Sequence, residues 1–307
     1  MSQLEDGHAC RSGEPAGKSV PFTTVLQAAD LKPIHNFDPE TTRKPMANHV
    51  VALTIAGSDP SGGAGLQADL KTFHQHGVYG TSVVSLLTVQ NTRGVRDVKI
   101  LDPTFVQAQL DAVLGDIPPI AVKTGALGSA ENITVVANCA ALLQVPFVVD
   151  PVMISKHGAR LMAEDAIATL TKRLLPLATL VTPNLPEASA LCGLPVTRQA
   201  DMEVAALAIA DLGVPNVLIK GGHLVGDASD LLLADGEFHV LQSERIETPH
   251  THGTGCVYSA AIAARLARGE PLVQAVQSAK RFVTAAIRSN PALGAGQGPT
   301  NMFADPS

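Results

Sequence analysis

Tryptophan is missing from this chain, and only 3% of its residues are aromatic. A core without large rings must be built from aliphatic side chains and alanine, and the 46% hydrophobic content supplies them. Cysteine is scarce. Cys10, Cys139, Cys192 and Cys256 lie far apart with no CxxC pair, which argues against a disulfide framework or a structural zinc site and fits a reducing cytoplasm. Basic residues are outnumbered, 22 Lys and Arg against 28 Asp and Glu, for a formal net charge of −6. That argues against a dedicated nucleic-acid binder, which carries a basic face. No apolar run reaches the roughly 18 residues that a membrane helix needs. The first residues include Glu5 and Asp6 and no apolar core, so they do not read as an export signal. HExxH, GxSxG and the Gly-Lys-Ser/Thr ending of a Walker A loop are absent as well.

What remains is a 307-residue chain long enough for one large domain or two ordinary ones. Residues 1–48 are polar and irregular, with Pro33, Pro39 and Pro45, and read as an N-terminal extension, with Met46 as a candidate alternative start. Residues 49–307 read as one domain. Short apolar runs at Val50–Ala56, Val83–Val89, Val98–Leu101, Ile120–Lys123, Phe147–Val149, 178–181 and 216–219 predict strands. Between them, helices are predicted after Gly65 (Leu66, Leu70 and Phe73 on one face), from Pro103 to about Leu114, from about Glu131 to Leu143, and over 163–175 and 202–212. Asp235-Gly236 predicts a hairpin between Leu231–Leu233 and Glu237–Leu241, and two helices, about 254–268 and 271–289, close the chain. Strands alternating with helices mean an α/β fold with a central, mostly parallel sheet between helices on both faces. Such sheets bind ligands at the carboxyl ends of their strands.

The unusual residues follow the strands. Gly57-Ser58-Asp59-Pro60-Ser61-Gly62-Gly63-Ala64-Gly65 lets backbone approach a ligand just before a helix, with Asp69 one turn on; a plain strand-to-helix turn and a solvated carboxylate are the bland alternatives. His252-Gly253-Thr254-Gly255-Cys256 opens an apolar helix whose free N–H groups make an anion site. A cysteine in that first turn is expected to have a lowered pKa and to serve as base or nucleophile, against the alternative of a small buried gap-filler. Thr182-Pro183-Asn184-Leu185-Pro186-Glu187 offers an amide and an acid for hydrated Mg²⁺, or simply a capping box. Lys220-Gly221-Gly222-His223 offers a point charge for phosphate, with His223 structural. His250 and His252 read as loop hydrogen-bonders, and Lys280 would ordinarily be a solvated helix charge.

In order, Thr54 to Thr72, Val89-Gln90-Asn91-Thr92, Asp150-Pro151-Val152-Met153, and the 182–187, 220–223 and 252–256 segments resemble the hydroxymethylpyrimidine and phosphomethylpyrimidine kinases of thiamine synthesis. The match runs from about Val50 to Phe303. The resemblance implies a ribokinase-like fold, usually a homodimer, that moves the γ-phosphoryl of ATP to a hydroxymethyl aminopyrimidine and then adds a second phosphoryl. It also implies roles. Gly57, Asp59, Asp69 and Gln90 line or support the pyrimidine site, with Gln90 on the ring edge. Gly253, Thr254, Gly255 and Cys256 form the anion hole, Cys256 standing where ribokinase has its catalytic Asp. Asp150, Asn184 and Glu187 serve Mg²⁺ and phosphates, and Lys220 and Lys280 serve the nucleotide.

Three features depart from that pattern: Thr124 and Ala126 stand where the family has Ile and Met, Gln297 stands where it has His, and residues 1–48 have no counterpart. Ala126 is expected to widen the substrate pocket. The competing readings are a vitamin B6 kinase, since some relatives with the same Gly-Thr-Gly-Cys turn phosphorylate B6 vitamers, and an idle ligand-binding module. The full set Asp150, Glu187, Lys220 and Cys256 argues against the idle module, and Gln90 favours the aminopyrimidine.

Overall fold

Alternation along single strands explains how two separate cores form on one sheet. In β1 (Val51–Ser58), Leu53 and Ile55 pack into one cluster with Val106, Leu110, Ile133 and Val136, whereas Ala52 packs into another with Phe73, Val257 and Phe282. In β5 (Phe147–Val149), Phe147 and Val149 join the first cluster and Val148 the second. β7 (Val217–Ile219) repeats this, with Leu218 facing away from its neighbours. Period-two side chains on strands covered from both sides demand this split, and it is why those runs are mainly apolar.

The computed structural model describes residues 49–155, 158–222 and 228–306. The 1–48 extension, Met46 and His223 fall outside the described residues. β1 leads into α1 (Gly65–Gln75), and β2 (Tyr79–Asn91) turns back at Thr92 and Arg93 into β3 (Gly94–Ile100). Then come α2 (Pro103–Asp116), β4 (Ala121–Thr124), α3 (Ala130–Ala140), β5, α4 (Glu164–Thr169), β6 (Leu180–Val181), α5 (Leu185–Cys192), α6 (Gln199–Ala210) and β7. The chain closes with β8 (Asp230–Ala234), β9 (Glu237–Leu241), α7 (Thr254–Ala267) and α8 (Leu272–Arg288). The sheet order is β3-β2-β1-β4-β5-β6-β7-β8-β9. The run from β2 to β7 is parallel, while β3, β8 and β9 pair antiparallel at the two edges.

Helix starts follow from their caps. Asp102 accepts from Thr104 N at 2.9 Å with Pro103 in the first turn of α2, and Ser129 Oγ accepts from Asn132 N at 3.2 Å to start α3. The second core compensates for its few rings with alanine: Ala260, Ala261, Ala263 and Ala264 of α7 are fully buried, which lets that helix lie close to the sheet and to α1 and α8.

Several boundaries differ from the sequence expectation, among them β2, which begins at Tyr79 rather than Val83, and α6, which begins at Gln199 rather than Met202. β3 begins at Gly94, four residues earlier than the apolar run suggests, because its outward face is polar. α3 ends at Ala140 rather than Leu143. The helix expected over 163–175 is α-helical only to Thr169 and continues as a π-helical segment, Leu170–Leu174, and a 3₁₀ turn, Leu175–Leu177, that Pro176 enforces.

One core residue makes stability depend on pH. His76 donates from Nδ1 to the Thr72 carbonyl at 2.9 Å and stands edge-on to Phe282, while its buried Nε2 has no partner. A proton on Nε2 would be a charge without a counter-ion, and burial depresses the imidazole pKa to about 4. The folded pKa lies below the unfolded one, so the stabilisation is present above about pH 6.5 and is lost as pH falls towards 4. The expected loss is on the order of 3 kcal/mol. Urea melts at pH 7 and pH 4.5 should show a smaller acid loss for His76→Phe than for the natural protein; equal losses would remove His76 from the acid response.

Candidate active site

Parallel pairing brings the carboxyl ends of five strands to one edge. The loop after β1 carries Asp59, β4 is followed by Ala126, β5 by Asp150, β6 by Asn184 and β7 by Lys220. The N-terminus of α7 closes the same edge. Between them lies a cavity of about 960 Å³, at the upper end for small-molecule sites and large enough for a nucleotide together with a second small ligand. Gly57, Gln90 and Ala126 line one part, Ala228, Arg245 and Ile287 another, and Asp150, Glu187, Lys220 and Cys256 also contribute.

The charged wall is already paired. Asp150 accepts from Lys220 Nζ at 2.8 Å, from Thr182 Oγ1 at 3.2 Å and from Ser259 Oγ at 3.1 Å. Burial alone would raise the Asp150 pKa, but Lys220 and Lys123, with the hydrogen bonds from Lys220 and Ser259, outweigh it and hold the carboxyl below its ordinary range. Glu187 forms a capping box with Asn184: Glu187 N donates to Asn184 Oδ1 and Asn184 N to Glu187 Oε2, both at 2.9 Å. Burial, with the negative charge of Asp150 added, raises Glu187 to about 7. Lys280 is not a solvated helix charge. It is buried, and it donates to Asp230 Oδ2 at 2.7 Å and to the Ala228 carbonyl at 2.9 Å on the cavity wall.

Two glycine turns interlock beneath the cavity. Gly253, the N-cap of α7, has φ +78, and a Cβ there would come within 1.8 Å of the Gly63 carbonyl oxygen. No side chain caps α7; Thr254 N donates to the Thr251 carbonyl at 3.3 Å, which leaves the N–H groups of Gly255 and Cys256 for an anion. Thr254 Oγ1 donates back to the Thr251 carbonyl at 2.8 Å. A Cβ at Gly255 would touch Lys220 Nζ at 3.2 Å, so this glycine lets the helix end rest on the Lys220–Asp150 pair. Cys256 follows in the first turn, and here the sequence expectation needs correction. Its thiol is raised to about 11, because burial and the carboxylates of Asp69 and Asp150 outweigh Lys123 and the Gly65 N–H. The helix dipole does not make a resting thiolate at this depth. Tyr258, two residues further along α7, is buried in the same wall.

Two further clusters involve residues far apart in sequence. Asp59 accepts from Ser61 N, Ser61 Oγ and Ala64 N, which shapes its loop, and stands 2.8 Å from His252 Nε2. That same nitrogen is 3.2 Å from Gln90 Nε2, so His252 joins the loop after β1 to the tip of β2. Burial would raise Asp59, but His252 and Ser61 hold it below its ordinary value. Asp69 does not reach the cavity wall. Fully buried, it accepts from Lys123 Nζ at 2.8 and 2.9 Å and from Thr54 Oγ1 at 2.6 Å. Lys123, on β4, has no exposed side chain and is held protonated by Asp69 against its own burial. Sequence reasoning missed Lys123 entirely. The signal was available: a cation in the middle of a strand covered on both faces must have a buried partner.

The sequence profile of the phosphomethylpyrimidine kinase family matches residues 59–301. The chain belongs to this family. It is 50% identical over 267 residues to the hydroxymethylpyrimidine/phosphomethylpyrimidine kinase of Haemophilus influenzae, covering 84% of this chain and 98% of that protein. Among solved structures, an ADP complex of Bacillus subtilis pyridoxal kinase superposes with a TM-score of 0.78 at 41% identity, over 83% of this chain and 98% of that one. The phosphomethylpyrimidine kinase of Clostridium difficile superposes at 0.69 with 44% identity, over 77% and 99%. The three-layer architecture is the ribokinase-like one that the sequence resemblance implied, and the chain is a kinase of this family.

Proposed function

We propose that this kinase transfers the γ-phosphoryl group of ATP to the hydroxymethyl group of 4-amino-5-hydroxymethyl-2-methylpyrimidine, and then a second phosphoryl to the monophosphate, for thiamine biosynthesis. What carries the reading is one juxtaposition in a member of this family: the uncapped N-terminus of α7 with Cys256 shares a cavity with Asp150 and Lys220 and with the amide of Gln90. Phosphoryl transfer is mostly positioning and charge stabilisation. The substrate hydroxyl oxygen bonds to the γ-phosphorus as the bond to ADP breaks. Backbone N–H groups of Gly255 and Cys256 donate to the phosphoryl oxygens, and the glycines keep side-chain bulk away from them. Gln90 hydrogen-bonds the pyrimidine edge, Gly57 and Asp59 shape that end, and Asp69 supports it from below by fixing Lys123. The hydroxyl proton passes to the Cys256 thiolate, the minor form at rest. Lys220 and Lys280 serve the nucleotide, with Asn184 and Thr254 near its phosphates.

Among the described residues no cluster of three His, Cys, Asp or Glu is built to hold a metal alone. Asp150 and Glu187 nevertheless suit Mg²⁺: both are oxygen donors facing the cavity, both already have protein partners, and Mg²⁺ is held through waters and substrate phosphates rather than by a full protein cage. Bound there, the ion neutralises phosphate charge.

A B6 vitamer kinase is the second reading. It is favoured by pyridoxal kinases among the structural neighbours and by the small side chain of Ala126 in the cavity wall. ADP release with Mg-ATP separates the two. Turnover of the hydroxymethylpyrimidine and its monophosphate, with little on pyridoxal, supports the first; turnover of pyridoxal alone overturns it. A homodimer fits the apolar side chains exposed on β2 and β3, Leu87, Val89 and Ile100, and sedimentation tests it. The free thiols of Cys139, Cys192 and Cys256 fit a cytoplasmic enzyme, and no helix among the described residues is long and apolar enough to cross a membrane.

A further inference from the structure

The segment after α8 returns across the substrate end of the cavity as a strap. Gln297 N donates to the Thr92 carbonyl at 2.8 Å, two residues beyond Gln90, at the turn between β2 and β3. One residue on, His252 N donates to the Gly298 carbonyl at 3.0 Å, Gly298 N donates to His250 Nδ1 at 3.1 Å, and Thr300 N donates to the His252 carbonyl. The strap is thus stitched to the element that carries Gln90 and to the turn that leads into Cys256.

Its backbone has almost no freedom of position. A Cβ at Gly296 would lie 2.1 Å from the Thr92 carbonyl oxygen, and one at Gly298 would lie 2.5 Å from His250 Nδ1 and 2.6 Å from the Leu293 carbonyl oxygen. Between these two glycines stands a single large polar side chain. Gln297 lines the cavity, and its Oε1 is buried without a hydrogen-bond partner. A buried carbonyl oxygen with no donor is rare in a folded protein and asks for one.

We infer that Gln297 is a substrate-binding residue whose Oε1 accepts a hydrogen bond from the exocyclic amino group of the heterocycle, so that two amides, Gln90 and Gln297, read the ring. This rests on the aminopyrimidine reading of the same site. Gln90 is partly engaged already, since Thr88 Oγ1 donates to its Oε1 at 3.2 Å and its nitrogen faces His252. Gln297 carries an acceptor that no protein donor satisfies. The aminopyrimidine supplies the matching donor, and a ring lacking the amino group does not.

The test compares the aminopyrimidine with its 4-desamino analogue, 5-hydroxymethyl-2-methylpyrimidine, by kcat/KM at saturating Mg-ATP. Gln297→Leu keeps the bulk and deletes the acceptor. It is expected to raise KM for the aminopyrimidine by about 10- to 100-fold, with KM for ATP and kcat within about threefold. The preference for the amino compound over its analogue should fall by at least about tenfold, and Gln297→Glu, which keeps an acceptor, should retain more of it. If Gln297→Leu does not fold, Gln297→Ala is measured in the same way. An unchanged preference, with both substrates weakened equally, would reduce Gln297 to a structural part of the strap and overturn the inference alone. No turnover of the aminopyrimidine by the natural protein would overturn the proposed function first and this inference with it.

Discussion

Cys256→Ala is expected to lower kcat by about 10²- to 10⁴-fold while KM for ATP stays within about threefold. The side chain sits in the first turn of α7, where an alanine fits without disturbing Gly253 and Gly255 before it. Nucleotide contacts are left in place, so only the proton acceptor is lost. The thiol is raised to about 11, so the base form is scarce at neutral pH and grows about tenfold with each pH unit below that value. For the natural protein, log kcat/KM should therefore rise across pH 7 to 9, and for Cys256→Ala the rise should vanish. Steady-state ADP release over that range measures both. A variant with near-normal turnover, or a rise that survives the substitution, removes Cys256 from the proton transfer.

Gly253→Ala should have the largest effect on the folded state. Its Cβ would stand 1.8 Å from the Gly63 carbonyl oxygen, 2.9 Å from the Gly63 carbonyl carbon and 3.2 Å from Ala64 Cα, all backbone, and the residue has φ +78. Backbone on both sides cannot rotate away as a side-chain tip can. The turns after β1 and before α7 must separate, and the anion site separates with them. The expected outcome is a loss of more than about 4 kcal/mol in urea unfolding and less than about 1% of the activity. Gly269→Ala is the control. That glycine has φ +83 but nothing within 4 Å of its Cβ, so only left-handed strain of about 1 kcal/mol is expected. Equal losses at the two positions would mean that conformation alone, not the contact with Gly63, requires Gly253.

Local pattern was readable; distant partnership was not. The apolar runs located the parallel strands to within a few residues because strands buried on both faces leave little room for polar positions, and those only with a buried partner, as for Lys123. The outward face of β3 is polar, so its first half was invisible. Asn184 and Glu187 could be paired from spacing alone, since a capping box closes within one turn. The link between Asp59 and His252 spans 193 residues, and the link between Asp69 and Lys123 spans 54, so no local rule reaches them. Cys256 shows the other limit. Its place at a helix start was evident, but its burial beside Asp69 and Asp150 was not, and that burial decides the thiol's charge.

Tyr258 has a practical consequence. The chain has two tyrosines and no tryptophan. Tyr79 is 60% exposed on the far end of β2, while Tyr258 is buried in the cavity wall. With no indole to drain its excited state, the emission of Tyr258 is an intrinsic optical reporter built into the site, with a single solvent-facing phenol as background. Ligand entry can therefore be followed by light in the unlabelled protein.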